Sequence, residues 1–342
     1  MKTLDRYIKE GFFGNVGAQV SEKEIISTFD NIFWKNQLSQ YNKTAHWEDK
    51  YESYVISITN THGTHGIVED VISESDIKAL MKIEYPLKIR FENIVALAFT
   101  RDNKDISRDQ IKFLDNTLLF DKGLHHLYIH DADIQSADEL SNIISNMNNF
   151  DTPSLGQQSV IFDGCSKLTT LGKVFNTVTV PMKIIVRMCR NFDGAGSMLS
   201  KYVNVLCIKS CPNVDMSWLT SGGVKNLSLV SNNKDIDIFK DLSLPILKKL
   251  ETLYIDITTI KTPQPKGLKL TNTSLVVDLF DYKIQNIEKV IKNKMIDLTS
   301  QNDLDLIISN ASSKEVIWLR DNIDKWITDT YGSDCKCKSH VY

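Results

Sequence analysis

The sequence predicts an α/β repeat fold: a solenoid with a parallel strand ladder and an α+β cap at its N-terminal end. Two observations predict it. A short apolar pattern recurs from about residue 90 to residue 330 with a period of about 22 residues, and the residues before it do not follow that pattern. Because one repeat of this length cannot bury its own apolar side, neighbouring repeats stack and share a continuous core.

The composition is that of an ordinary globular chain. Of the 342 residues, 42% are hydrophobic and 24% are charged, so global disorder is not expected. The net charge of −3 gives no overall basic character, and we therefore expect neither nucleic acid nor a membrane as a partner. The absence of an apolar signal segment and the six scattered cysteines favour a cytoplasmic, reducing location.

The repeat is clearest around three cysteines. Each stands at the sixth position of the pattern apolar, any, apolar, any, any, Cys, any, any, apolar, and the three are Cys165, Cys189 and Cys211. Other residues occupy this anchor position further along the chain and in two less regular upstream repeats: Asn232, Thr258, Phe280, Gln301, Asn322, Thr100 and Ala132. From Cys165 onward the anchors are roughly 21 to 26 residues apart, a period typical of solenoid repeats.

These cores resemble the leucine-rich-repeat family, in its cysteine-containing variety, over residues 91–330. Alternate apolar residues place the inner face of a short strand in the core. An Asn or Cys three residues later can hydrogen-bond to the backbone where the chain turns. Anchors other than Cys or Asn make the array irregular, and short helices are predicted between some strands, for example over residues 284–291.

Residues 21–90 are predicted to form the α+β cap, with a separate small domain as the alternative. Ser21-Glu-Lys-Glu24 is a capping box that predicts a helix to about Leu38. Residues 54–59 and 66–71 flank a turn and predict a β-hairpin, and residues 75–81 predict a short helix. Such a cap would shield the open end of the repeat core.

Residues 1–20 form a segment of their own. Its start has the spacing of a short amphipathic helix, with Leu4, Tyr7 and Ile8 on one face and Gly11 as its stop. Alternatively, it resembles the capsid-targeting peptides of internal head proteins of T-even-type tailed phages, which begin Met-Lys-Thr, carry an aromatic-Ile pair and end in Glu. That resemblance implies cleavage between Glu10 and Gly11 by a prohead protease.

The sequence gives only weak evidence for a catalytic or metal-binding site, and we predict no catalytic site, no cofactor and no metal. The anchor cysteines lack the paired spacing of zinc ligands and are interpreted as buried structural residues. His62 and His65 fit a turn of small polar residues. Cys335, Cys337 and His340 lie in residues 331–342, which are predicted to be a flexible tail.

The strand residues that point away from the core predict a binding surface on the concave side of the solenoid. They are Tyr128, His130, Asp163, Arg187, Lys209, Tyr254, Asp256, Asp278, Trp318 and Arg320. Apolar residues, including Ile161 and Ile185, lie among them, a composition that protein interfaces use. The sequence therefore predicts a non-enzymatic protein-binding module with a protein partner of unknown identity.

Two alternatives stay open. The first is a phage virion or internal head protein, packaged through its N-terminal peptide and located in the virion or in the host cytoplasm. The second is a metal-dependent enzyme of unknown class that would use His62, His65 or the two tail cysteines.

Overall fold

A computed structural model describes residues 20–35, 37–59, 70–92, 94–102, 104–122, 124–149, 157–232, 235–279 and 283–342. Within these residues the dominant feature is a sheet of eleven strands whose neighbours all run parallel. Its strands are β3 (Asp70–Ser73), β5 (Ala96–Thr100), β7 (His126–His130), β8 (Gln158–Asp163), β9 (Met182–Arg187), β10 (Val203–Lys209), β11 (Asn226–Val230), β12 (Thr252–Asp256), β13 (Asn272–Asp278), β14 (Asp303–Ser309) and β15 (Lys338–Val341). The predicted parallel ladder, with helices between strands, is confirmed.

A second, four-stranded sheet is formed by strands from the N-terminal part of the chain. Its strands are β1 (Asn42–Glu48), β2 (Ser53–Thr59), β4 (Leu87–Glu92) and β6 (Leu118–Lys122). The described α-helices are α1 (Glu22–Ile32), α2 (Glu74–Leu80), α3 (Arg108–Thr117), α4 (Ser141–Asn146), α5 (Ile238–Asp241), α6 (Leu244–Leu247), α7 (Ile284–Lys292) and α8 (Ser313–Tyr331).

Two columns of buried side chains run through the long sheet, because alternate residues of each strand point into the core. In the middle strands β8 to β12 the first column consists of Val160, Ile184, Leu206, Leu227 and Leu253. The second column consists of Phe162, Val186, Ile208, Leu229 and Ile255. Each such side chain stabilises the fold by about 1.5–3 kcal/mol through burial.

The chain turns in the same way after each middle strand. The residue that follows β7, β8, β9, β10 and β11 has a positive φ of 50 to 66°, and these residues are Asp131, Gly164, Met188, Ser210 and Ser231. The backbone N–H of four of them donates to the last carbonyl of the next strand, at 2.9–3.0 Å. At Gly164 a Cβ would lie 2.2 Å from Asp131 Oδ1, so a larger residue there requires the Asp131 carboxylate to move.

The predicted anchor hydrogen bonds are present. The thiols of Cys165, Cys189 and Cys211 lie within hydrogen-bonding distance of carbonyls of the preceding strand, those of Ile129, Phe162 and Val186, at 3.5, 3.8 and 3.7 Å. They also lie 3.6, 3.3 and 3.4 Å from carbonyls at the end of their own strand, those of Asp163, Arg187 and Lys209. Asn232 makes the same contact more strongly, with Nδ2 2.7 Å from the carbonyl oxygen of Ile208. Each anchor therefore ties one turn to the strand before it.

The predicted repeats near Gln301 and Asn322 are wrong. Residues 298–300 form a single turn of 3-10 helix, and residues 317–322 lie within α8. Ser312 and Glu315 form a capping box that starts α8, and this local signal prevails over the apolar spacing. The strands of this region are β14 and β15 instead.

The register also differs from prediction at β13. Thr273 and Leu275 lie level with Leu253 and Ile255, so Thr273 occupies the first buried column and the frame is displaced by two residues. The predicted anchor Phe280 lies outside the described residues. Residues 331–342 are not a flexible tail throughout, since Lys338–Val341 pairs with β14 as the last described strand of the ladder.

The predicted hairpin of residues 54–59 and 66–71 is not formed. Strand β2 pairs with β1 and β4 in the short sheet, whereas β3 pairs with β5 in the long sheet. The N-terminal turns of the ladder thus carry two strands each, β2 with β3, β4 with β5 and β6 with β7. The parallel ladder therefore extends into the segment 21–90, which the sequence assigns to a cap.

Candidate protein-binding face

The long sheet presents one set of side chains away from its core, which we call the outer face. On β7 to β14 its members alternate with the buried columns. They are His126, Tyr128 and His130 on β7; Ser159, Ile161 and Asp163 on β8; Lys183, Ile185 and Arg187 on β9; Val205, Cys207 and Lys209 on β10; Asn226, Ser228 and Val230 on β11; Thr252, Tyr254 and Asp256 on β12; Asn272, Ser274, Val276 and Asp278 on β13; and Asp303, Asp305, Ile307 and Ser309 on β14. Backbone pairing between strands holds the Cα atoms of this surface in place.

The middle of the outer face is apolar from β7 to β10. Tyr128, Ile161, Ile185 and Cys207 are neighbours on consecutive strands. Ile161 is 7% exposed, and the other three side chains are half-buried. Half-buried apolar groups in a continuous row gain free energy when a second surface covers them.

A charged cluster borders this apolar row at the carboxyl ends of β7 to β9. Asp163 Oδ2 lies 2.7 Å from Arg187 Nη2 and 3.3 Å from His130 Nδ1. The rings of Tyr128 and His130 are stacked, with centroids 6.2 Å apart and planes within 4°. Since Asp163 is buried, its ion pair with Arg187 is needed to offset desolvation of the carboxylate.

The opposite border holds a hydrogen-bonded chain that was not identified from the sequence. His125 Nδ1 lies 3.0 Å from His126 Nε2, and His126 Nδ1 lies 2.7 Å from Ser159 Oγ. Burial, together with His125 and Lys183, lowers the pKa of His126 to about 4, so the ring is neutral at pH 7. Ser159 is itself buried, and the chain satisfies polar groups at this border of the face.

The acidic part of the outer face lies on β12 and β13. Asp256 Oδ2 accepts a hydrogen bond from the backbone N–H of Ser231 at 2.5 Å, and burial raises the pKa of this carboxyl. Asp278 Oδ1 accepts from Asn310 Nδ2 at 2.8 Å. Tyr254 is half-buried beside Asp256, and burial raises the pKa of its phenol.

Two predicted site residues do not belong to this face. Trp318 and Arg320 lie on α8, not on a strand, because the helix replaces the predicted repeat. Trp318 is 46% exposed and makes an edge contact with Trp326, with ring centroids 5.7 Å apart. Arg320 donates from Nε and Nη2 to the backbone carbonyl of Val341 at 3.1 and 2.9 Å. The other eight predicted residues lie together on the outer face.

An open groove of about 600 Å³ adjoins the face at the carboxyl ends of β7 to β10. Arg101, Asp131, Met188 and Arg190 are among its lining residues, and Met188 is 55% exposed. Methionine and arginine are enriched at protein interfaces. These residues lie in turns, where apolar and polar residues do not alternate, so the sequence pattern did not predict them.

A larger groove of about 1070 Å³ lies between α1 and α2, remote from the predicted residues. Phe33, Trp34 and Tyr85 line it together with Asp76 and Lys82. The hairpin that the sequence predicted in this region would not have brought the two helices together, and the groove was therefore not expected.

The tail cysteines have structural surroundings. Cys335 Sγ donates to the carbonyl of Leu298 at 3.6 Å, and burial raises the pKa of Cys337 to about 12. In the part of the chain that the structure describes, no group of three His, Cys, Asp or Glu side chains is placed to hold a metal ion. His62, His65, Glu10 and Gly11 lie outside that part.

No protein-family model, curated protein or solved structure matches this chain. Among the described helices, none is both long enough and apolar enough to cross a membrane.

Proposed function

We propose that this chain is a non-enzymatic protein-binding module and that its outer face receives the partner protein. The observation that carries the proposal is the row of half-buried apolar side chains, Tyr128, Ile185 and Cys207, with charged residues at the strand ends beside it. An apolar centre with arginine and aromatic residues inside a polar rim is the composition of protein interfaces.

The rigidity of the face supports the same function. Parallel pairing fixes the strands, and Asp163 is held from two sides by Arg187 and His130. A surface whose side chains are already ordered loses less conformational entropy when a partner binds. More of the interaction energy then contributes to affinity.

We also infer that the ladder is a solenoid of the leucine-rich-repeat-like type, with the outer face on its concave side. The support is the set of anchor contacts: Asn232 donates to the carbonyl of Ile208, and Cys165, Cys189 and Cys211 each lie within hydrogen-bonding distance of a carbonyl of the preceding strand. Repeated turns with the same positive φ are also expected of stacked equivalent units.

Quantitative affinity capture from a lysate of the source cells tests the binding function. We expect Tyr128→Ala and Tyr254→Ala each to reduce recovery of a specific partner by about tenfold or more, since interface aromatics commonly contribute 2 kcal/mol or more. Trp318→Ala is the matched control, because this exposed aromatic lies on α8 and should leave recovery unchanged. Equal recovery with all three variants would refute binding through the face.

We propose separately that the first residues are a targeting peptide of a phage-encoded protein, which would place the chain in the virion or the host cytoplasm. The support is the sequence Met1–Gly11 with Ile8-Lys9-Glu10 before Gly11. Mass spectrometry of purified virions should find a new N-terminus at Gly11. Virion-derived protein that retains Met1–Glu10 would contradict the cleavage.

A further inference from the structure

Strand β15 forms one edge of the long sheet, because among the described strands only β14 pairs with it. The backbone N–H groups of Lys338 and Tyr342 donate toward β14, at 2.8 and 2.9 Å, and the carbonyl of Tyr342 accepts from Ile308 at 3.0 Å. Alternate residues of a strand direct their backbone groups to opposite neighbours. The N–H and C=O groups of Ser339 and Val341 therefore point away from β14, along the free edge.

The free edge offers hydrogen-bonding groups to another strand. Within the described residues, the N–H groups of Ser339 and Val341 and the carbonyl of Ser339 have no hydrogen-bonding partner. Unpaired groups of this kind are a template for a strand of another chain. The edge is therefore a site at which the ladder could be extended.

A second copy of the chain carries the same groups with the same spacing, and the two edges are complementary. When two β15 strands meet antiparallel about a two-fold axis at His340, Ser339 of one copy lies opposite Val341 of the other. Residues opposed in this way exchange both of their N–H···O=C hydrogen bonds. Every outward-pointing backbone group of the two residues would then be paired.

Helix α8 occupies part of this edge in the structure. Arg320 donates from Nε and Nη2 to the carbonyl of Val341, at 3.1 and 2.9 Å, and so takes an acceptor that the second strand would need. Asp324, one turn further along α8, accepts a hydrogen bond from the hydroxyl of Ser339. A carboxylate at this position repels the carbonyl oxygens of an approaching strand. The two charged side chains therefore stand where a further strand would pair.

Other features of β15 also oppose the addition of a strand. The strand has only four residues, and its exposed side chains include Lys338 and His340. Short edge strands, lysine at the edge and cover by a helix are devices by which native sheets avoid pairing with other chains. An open groove of about 370 Å³, lined by Arg320 and Ser339 among others, lies beside the edge. The edge is thus accessible once the side chains of α8 are removed.

We propose that Arg320, assisted by Asp324, caps the free edge of the ladder and keeps it from pairing with the β15 edge of a second copy of this chain. In the absence of the cap, β15 is a self-association surface. The proposal is independent of the proposed function, because β13 and β14 separate β15 from Tyr254 on β12.

Sedimentation equilibrium of the full-length protein tests the cap. We expect Arg320→Ala to dimerise with a dissociation constant lower than that of wild type by about tenfold or more, since the substitution frees one acceptor in each copy. Lys325→Ala is the matched control: it removes a cation from an exposed position of the same helix and should leave association as in wild type. Equal association of wild type, Arg320→Ala and Lys325→Ala would overturn the proposal.

A second substitution tests whether this association occurs through β15. Ser339→Pro removes an outward-pointing N–H that the pairing with β14 does not use, and its ring obstructs the free edge. The double variant Arg320→Ala/Ser339→Pro should therefore return to the association of wild type while unfolding cooperatively in urea. A folded double variant that dimerises as strongly as Arg320→Ala would show that another surface is responsible, and the proposal would be wrong.

Amide hydrogen exchange gives an independent result without the proline. The N–H groups of Ser339 and Val341 should exchange more slowly in the Arg320→Ala dimer than in the wild-type chain, because they become paired only in the dimer. Exchange at unchanged rates in the dimer would contradict edge pairing.

Discussion

The middle of the ladder and its C-terminal end have similar apolar spacing but different structures. In the middle, from β8 to β11, two apolar residues and an anchor three residues later coincide with a strand and its turn. At the C-terminal end, the same spacing near Gln301 and Asn322 falls on a short 3-10 turn and on α8. Apolar spacing alone therefore does not specify a strand. An anchored turn must also follow the apolar residues at the matching position.

The anchors explain the difference. Asn232, in the turn after β11, ties that turn to β10 and the turn after β10, since its Nδ2 donates to the carbonyl of Ile208 and its Oδ1 accepts from the N–H of Cys211 at 2.8 Å. Asn322 donates instead to the carbonyl of Trp318, within its own helix, at 2.7 Å. Asparagine thus links neighbouring repeats in the middle of the ladder, whereas at the C-terminal end it bonds only within its own helix.

The largest expected effect concerns the core. Phe162→Ala should destabilise the protein by about 3–5 kcal/mol, because Phe162 is fully buried with several strands on either side of it. Leu306→Ala, near the C-terminal edge with β15 as the last described strand beyond it, should cost less, about 2–3 kcal/mol. Urea denaturation compares the two, and a larger loss for Leu306→Ala would show that the end of the ladder contributes more to global stability than the middle.

A smaller effect is expected at the anchors. Asn232→Ala should cost about 1–3 kcal/mol, because it leaves the Ile208 carbonyl and the Cys211 N–H without their partner. Asn322→Ala should change the free energy of unfolding by less than about 0.5 kcal/mol, since it lies on the surface of α8. The unfolding midpoints of both variants test this, and similar losses for the two would contradict the assignment of Asn232 as a repeat anchor.

A pH dependence is also expected in the middle of the ladder. Burial lowers the pKa of His126 from 6.5 to about 4, so the unfolded chain binds the proton more tightly than the folded one. The stability contributed by the neutral ring is complete above pH 6.5 and is lost as pH falls toward 4. Unfolding measured from pH 7 to 4 should show this decline for wild type and a shallower one for His126→Asn. Identical slopes would exclude His126 as its source.

Sequence reasoning was most successful for the ladder and the face that it carries. Alternation places Tyr128, Arg187, Lys209 and Tyr254 on the outer side once the strands are known, and these strands follow from short apolar runs with anchors. The grooves could not be predicted in this way. Met188 and Arg190 approach Arg101 only because consecutive turns stack, and these residues are far apart in the sequence.

The parallel ladder follows from the sequence, because a pattern that recurs about every 22 residues predicts repeats that cannot bury their apolar sides alone and must stack. The sequence also determined the anchors Cys165, Cys189, Cys211 and Asn232, since their spacing matches the turns. Tertiary contacts alone set the register at Thr273 and the strand pairing of β2 and β3. These depend on which partner each segment meets in space, and local spacing carries no information about that partner.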